Sequence, residues 1–198
     1  SRPSRASRTR SEAAVRARLL LDDSTPAVTT IAVEAGKASY QLHPKVYEIA
    51  HLQWQPSAAA HRAKSVQLVT REWLDRKHPD WRTRMDCDSL YAIQSEGALR
   101  MVPTPKEAGT LVLEAYRLPL KPLANDLDKP EIHEASHAYL VYWALHRAFS
   151  QPDSDGFDPQ RAASAEAAFT AYFGARPDAD LRRATRHDEP QVNATYIF

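Results

Sequence analysis

Residues 99–123 read LRMVPTPKEAGTLVLEAYRLPLKPL, and the pattern of the chain changes inside them. Two β-like runs, ALRMV at 98–102 and TLVLEAY at 110–116, lead into a Pro-punctuated connector, YRLPLKPL at 116–123. Beyond it the apolar spacing becomes helical. Towards the N-terminus, five more short runs fit strands: VTTIAV at 28–33, ASYQL at 38–42, VYEIAHLQW at 46–54, SVQLV at 65–69 and LYAI at 90–93. Gln94 to Gly97 reads as a hairpin turn, because two runs of period 2 flank a short polar segment ending in Gly. REWLDRKHPDW at 71–81 reads as a helical turn closed by Pro79. Seven short, antiparallel-looking strands predict a β-sandwich or small open barrel from about 25–116, within a β domain of 25–123.

On the other side of the connector, 130–150 (PEIHEASHAYLVYWALHRAFS) has Ile132, Tyr139, Leu140, Trp143 and Arg147 near helical spacing. Val141, Leu145 and Phe149 widen that face until it almost surrounds the helix, which predicts burial from several sides. A second helix is predicted from Asp158 and Pro159, an N-cap acid and an N1 proline, through an alanine-rich stretch to Phe169, Tyr172 and Phe173, ending at Gly174. The two form a helical hairpin in a helical domain of 124–186, with a third short helix opening at Pro177. At the N-terminus, Ser11 is a usable N-cap for a helix within 11–24 that packs with the C-terminal helices. Residues 1–10 (SRPSRASRTR) read as a basic arm, and 187–198 (HDEPQVNATYIF) as an extended arm. The fold class predicted is α+β, a helical hairpin or bundle beside an antiparallel sandwich or barrel.

With 43% hydrophobic and 26% charged residues, the chain is an ordinary globular one, long enough for one sizeable core or two small ones. Its 26 Lys and Arg against 25 Asp and Glu do not argue for a nucleic-acid partner. A lone cysteine, Cys87, excludes an internal disulfide and a Cys-x-x-Cys site, as suits a reducing compartment. No apolar run approaches the roughly 18 residues of a membrane span, and no signal-peptide pattern is present, so the expectation is synthesis in the cytosol and no membrane partner. Five glycines against 14 prolines disfavour glycine-rich phosphate loops.

The sharpest enzymatic signal is His133-Glu134-Ala135-Ser136-His137, which on a helix would set two imidazoles on one face to hold zinc, with Glu134 as the base of a zinc-dependent hydrolase. Against it, the extended motif would need Gly at Leu140 and His at Trp143, and only the distant Glu166 or His146 remain as a third ligand. The pattern fixes three positions in a chain with 8 histidines, and it sits in the first turn, near Pro130. The expectation is therefore first-turn side chains at i,i+4 spacing, with no metal, cofactor or catalytic residue. The acidic neighbours Asp86 and Asp88 oppose activation of Cys87 as a nucleophile. Asp153-Ser154-Asp155-Gly156 lacks the closing Glu of a calcium loop and reads as a turn. Arginines at 2, 5, 8, 10, 16 and 18 could face a nucleic-acid backbone or an acidic protein surface, but no aromatic residue interleaves with them for base stacking. Tyr196, Ile197 and Phe198 would each gain roughly 1.5–3 kcal/mol from burial, so the tail is expected to dock.

Six segments in order resemble the head-to-tail adaptor family of tailed bacteriophages, over about residues 12–186. EAAVRARLLLDD at 12–23 is similar to the family's first helix, and GKASYQLHPKVYEIAHL at 36–52 to its Tyr-x-Leu-x-Pro strand pair. LDRKHPDWR at 74–82 resembles its Leu-Asp and Pro-x-Trp-Arg. Residues 99–123 are the most specific segment, with Pro-x-Pro, Gly-Thr-Leu and Tyr-Arg-Leu-Pro in sequence. DKPEIHEASHAYLVYWALHRAFS and DPQRAASAEAAFTAYFG resemble its two later helices, and His137 falls at the family's helix histidine.

The resemblance implies a structural protein and not an enzyme. It further implies a homo-oligomeric ring, of twelve copies, that docks on the portal, meets the tail or nozzle component and lines part of the DNA channel. The expected location is the head-tail interface of the virion, reached from the host cytoplasm during assembly. Val192, Tyr196, Ile197 and Phe198 are the expected contacts to the portal or a neighbouring copy, and Arg5, Arg8 and Arg10 the expected contacts to channel DNA or portal.

Overall fold

A computed structural model describes residues 5–57, 62–121, 127–152 and 155–176. In chain order the elements are α1 (Arg5–Ala17), β1 (Leu21–Asp22), α2 (Pro26–Thr29), β2 (Thr30–Val33), β3 (Ser39–Gln41), β4 (Val46–Pro56), β5 (Lys64–Ser65) and β6 (Gln67–Leu68). They continue with α3 (Arg71–Lys77), β7 (Met85–Asp86), β8 (Tyr91–Gln94), β9 (Ala98–Val102), β10 (Thr104–Pro105), β11 (Gly109–Arg117), a single 3-10 turn at Glu134–Ser136, α4 (Leu140–Phe149) and α5 (Pro159–Phe173). The fold is mixed α+β.

The long strand β11 organises one sheet. It pairs antiparallel with β4 along one edge, while β2 and β1 lie end to end along the other, and β5 extends the sheet beyond β4. Along β11, Leu111, Leu113 and Ala115 are wholly buried while Glu114 is exposed, the alternation a half-buried strand requires. Its partner breaks that rhythm. Val46, Ile49, Leu52 and Trp54 all face the core, although the first two steps are of three positions and not two. The ladder skips Tyr47 and Ala50, and each extra residue restores the phase so that the next apolar side chain points inward. A second sheet, ordered β3-β9-β8-β6, contributes Tyr40, Ala92, Leu99 and Met101 to the same core.

All seven sequence-predicted strands are present within a residue or two, the 65–69 run being split into β5 and β6. The uniformly antiparallel expectation does not hold. β6 runs parallel to β8, and the short pair β7 and β10 is also parallel. The chain between β6 and β8 includes α3, a crossover long enough to return a strand in the same direction. Gly109 opens β11 where a Cβ would lie 2.4 Å from the Gln55 carbonyl and 2.5 Å from the Trp54 ring, so no side chain fits.

The helices α1, α4 and α5 pack together around Ala13, Phe169 and Phe173, with Leu140 and Trp143 against them. A neighbouring cluster of Ala14, Leu20 and Ile132 joins the connector to the first helix. Two helix boundaries differ from expectation. α1 starts at Arg5, six residues before the Ser11 N-cap, and Thr9 is already buried. The helix expected from 130 begins at Leu140, because 133–139 is held in a tighter turn by its own side chains.

Candidate functional site

The sequence singled out His133, Glu134 and His137, and the turn explains what they do. His133 is the cap: its Nδ1 accepts from the Ala135 amide at 3.2 Å. His137 Nε2 lies 2.8 Å from the Ile132 carbonyl. A carbonyl can only accept, so Nε2 carries the proton and has no lone pair for a metal. Glu134 is largely in solvent, and Lys129 Nζ lies 3.8 Å from its carboxylate. His146, one of the two third ligands considered, directs Nδ1 at the Ala162 carbonyl at 3.0 Å. Among the described residues no three His, Cys, Asp or Glu side chains converge where they could hold a metal. Cys87 is half-buried, and its carbonyl lies 3.4 Å from the Trp54 indole nitrogen.

Two of the arginines read as a possible backbone-facing set are structural. Arg16, with its side chain 4% exposed, bonds Glu12 at 3.0 Å and Thr170 Oγ1 at 2.9 Å, and its guanidinium lies over Trp143 and Phe169 at 4.7 and 5.1 Å. It fastens the three helices to each other. Arg18, in the left-handed region at φ 50°, pairs with Glu48 at 2.9 Å and covers Tyr116. Arg5, Arg8 and Arg10 lie on α1, but their side chains are outside the described residues, as is Arg2. The 177–186 helix and the whole 187–198 segment, including Val192, Tyr196, Ile197 and Phe198, also lie outside them.

A cluster that sequence reasoning missed joins the sheet to the helical region. Arg117, at the end of β11, donates to Asp22 Oδ2 of β1 at 2.5 Å and to Glu131 Oε2 at 2.6 Å, while Glu131 Oε1 accepts from the Lys121 amide. Burial raises the Asp22 carboxyl, but Arg117 and the Thr25 and Ser24 amides override it and hold the group at about 2. Burial likewise opposes the charge on Glu131, and the Lys121 amide and Arg117 bring it below its ordinary value. Its members lie 95 and 14 residues from Arg117, so no local motif announces them.

Among the described residues two surfaces stand out. The first is a cleft of about 240 Å³ between the α3–β7 turn and β8–β10, floored by His78, Trp81, Tyr91, Val102 and Pro103. Arg84, Asp86 and Asp88 supply charge along it, Arg84 pairing with Asp86 at 3.6 Å and Asp88 with Lys64. The second is the outer face of the helical hairpin. The prediction of a helix buried from several sides is overturned in the single chain, because no residue of α4 is buried. Tyr139, Val141, Tyr142 and Leu145 are 38, 51, 36 and 38% exposed, and Tyr172 of α5 is 42% exposed. They are contiguous: Tyr139 stacks on Tyr172 at 3.5 Å and meets Tyr142 at 6.4 Å, while Val141 and Leu145 are one helical turn apart.

No helix among the described residues is long and apolar enough to cross a membrane. No curated protein matches the chain. The family model described as SU10 adaptor protein matches residues 9–193, which takes in both sheets, the three packed helices, both candidate surfaces and most of the C-terminal segment. The chain belongs to the SU10 adaptor family of bacteriophage head-tail adaptor proteins.

Proposed function

We propose that copies of this protein close into a ring that docks on the portal and joins the phage head to its tail, working by surface burial and performing no catalysis. The observation that carries the proposal is the open apolar face of α4. A helix apolar almost all round, none of whose residues is buried in the single chain, is complete only against another protein. Side-to-side contacts between unlike faces of neighbouring copies close into a cycle. The ring has twelve members, as in the adaptor family.

In this reading the helices α1, α4 and α5 form a bundle that meets the portal and the neighbouring copies. The two sheets, packed as a sandwich on one core, form the side towards the tail or nozzle component. The units are a basic arm at 1–10, the first helix at 11–24, the β domain at 25–123, the helical domain at 124–186 and the extended arm at 187–198. Val192, Tyr196, Ile197 and Phe198 meet the portal or a neighbouring copy, and Arg5, Arg8 and Arg10 meet channel DNA or the portal. The protein is made in the host cytoplasm and ends in the virion.

Electron microscopy of the protein mixed with the portal encoded beside it tests this. A closed ring of extra density on the portal is the expected result. Leu145→Asp, at an exposed position, should leave the monomer within about 0.5 kcal/mol of wild type and abolish that ring. A portal with no added density, or a ring indifferent to Leu145→Asp, refutes the reading.

A further inference from the structure

We infer that the outer face of α4 of one copy seats in the cleft of the next, Val141 and Leu145 entering beside Trp81 and Tyr91 and the Tyr142 hydroxyl donating to Asp86. This names the two unlike faces that the ring reading above requires, and rests on that reading for its closure into a cycle.

The occupant is a second copy because the two surfaces match in size, shape and chemistry. α4 projects side chains: Val141 and Leu145 stand one turn apart, about 6 Å along the axis, with Tyr142 beside them, all at least a third in solvent. With Tyr139 and Tyr172 they leave roughly 400 Å² of mostly apolar surface in water. Each partner gives about 800 Å² to a specific interface, and only its centre is fully dried and apolar. The α4 face has the area of such a centre, and the residues around it supply the rim.

The cleft is the concave counterpart. Its volume of about 240 Å³ is below the roughly 300–1,000 Å³ of small-molecule sites and suits one or two branched side chains. Trp81, Tyr91, Val102 and Pro103 are joined in its lining by Leu90, an exposed leucine. Lys64 holds Asp88 at 2.5 Å. Asp86 is less completely satisfied: Oδ1 accepts from the Cys87 amide at 2.8 Å, but Arg84 is 3.6 Å from Oδ2, beyond a hydrogen bond. Tyr142 supplies the matching donor without a charge of its own to desolvate, and α4 holds no acid that Asp86 would repel.

One chain can use both surfaces at once. α4 packs with α1 and α5, whereas the cleft is built from the turn after α3 and from β7–β10, so the two share no residue. A copy thus offers its helix to one neighbour and its cleft to the other, the head-to-tail arrangement that closes into a cycle. A helix face seated on its own like makes a two-fold pair and stops there.

The test uses the full chain with Leu145→p-benzoylphenylalanine, irradiated on the portal encoded beside it and, separately, free at high micromolar concentration. Expected in both is a crosslink at the mass of two chains to a peptide within 78–103, and none to that segment from the same residue placed at the exposed hairpin position Glu96. Tyr142→Phe should lower that crosslink about tenfold, as loss of one hydrogen bond to a charged group does. Asp86→Ala should do the same, and the two together little more than either alone. A crosslink to the portal, to another segment or within one chain overturns the inference, as does no crosslink between copies or a double variant whose losses multiply. A ring on the portal whose α4 crosslinks elsewhere sinks this pairing alone. The 78–103 crosslink between copies that never form a ring sinks the ring reading alone.

Discussion

Asp22→Asn removes one charge from the cluster that ties β1 and β11 to the chain entering the helical region, and its cost follows from the electrostatics. The carboxyl sits at about 2 in the fold against an ordinary 3.8. At neutral pH that difference stabilises the native state by about 2 kcal/mol. The sign is that of a depressed carboxylate. The stabilisation is fully present above the unfolded value and is lost as pH falls through the folded one, so about half should remain at pH 3 and little at pH 2. Urea denaturation of wild type and Asp22→Asn at pH 7, 4 and 3 reads the difference directly. The gap should be about 2 kcal/mol at pH 7, worth roughly 4–8 °C in a chain of this length, and should narrow by about half at pH 3. A gap that stays constant from pH 7 to pH 3, or widens on acidification, would refute the assignment of Asp22 as the ionised partner of Arg117.

Gly109→Ala should cost about 2 kcal/mol or more, since the new methyl meets the Gln55 backbone and the buried Trp54 ring with no flexible atom to yield; chemical denaturation checks it. His137→Ala should destabilise by about 1 kcal/mol through loss of the bond to the Ile132 carbonyl. Metal analysis of the same variant beside wild type should show no stoichiometric zinc in either, and zinc lost on mutation would revive the hydrolase. Deleting Thr195 to Phe198 should weaken portal docking while circular dichroism and melting temperature stay those of the full chain. Unchanged portal affinity would remove the tail from the contact.

Strand positions were legible because alternation and turn residues are local. VYEIAHLQW shows how far that reaches. Its apolar residues fall at 46, 49, 52 and 54, neither a clean strand nor a clean helix, and the bulges at Tyr47 and Ala50 that reconcile them exist only against β11. The parallel pairing of β6 with β8 was not legible, because strand direction depends on where the chain returns after α3. The His-Glu-x-x-His pattern was visible in the sequence, but the tight turn it forms was not. At 133–137 the backbone closes a 3-10 turn, and the imidazoles bond the main chain.

The order of six adaptor-like segments was enough to reach the family, since each preserves a local feature that short-range physics enforces: a cap, a turn, a strand start, an apolar helix. The sequence also marked 140–149 as apolar on nearly every side, and therefore destined for burial. Only the tertiary structure decided that, among the described residues, α1 and α5 pack against α4 without burying any of its residues fully. Only it joined Arg117 to Asp22 and Glu131, residues that chain folding alone brings within hydrogen-bond reach. Patterns along a chain report what each segment prefers; which preferences are met, and which are left for a partner, depends on distances that form when the segments pack.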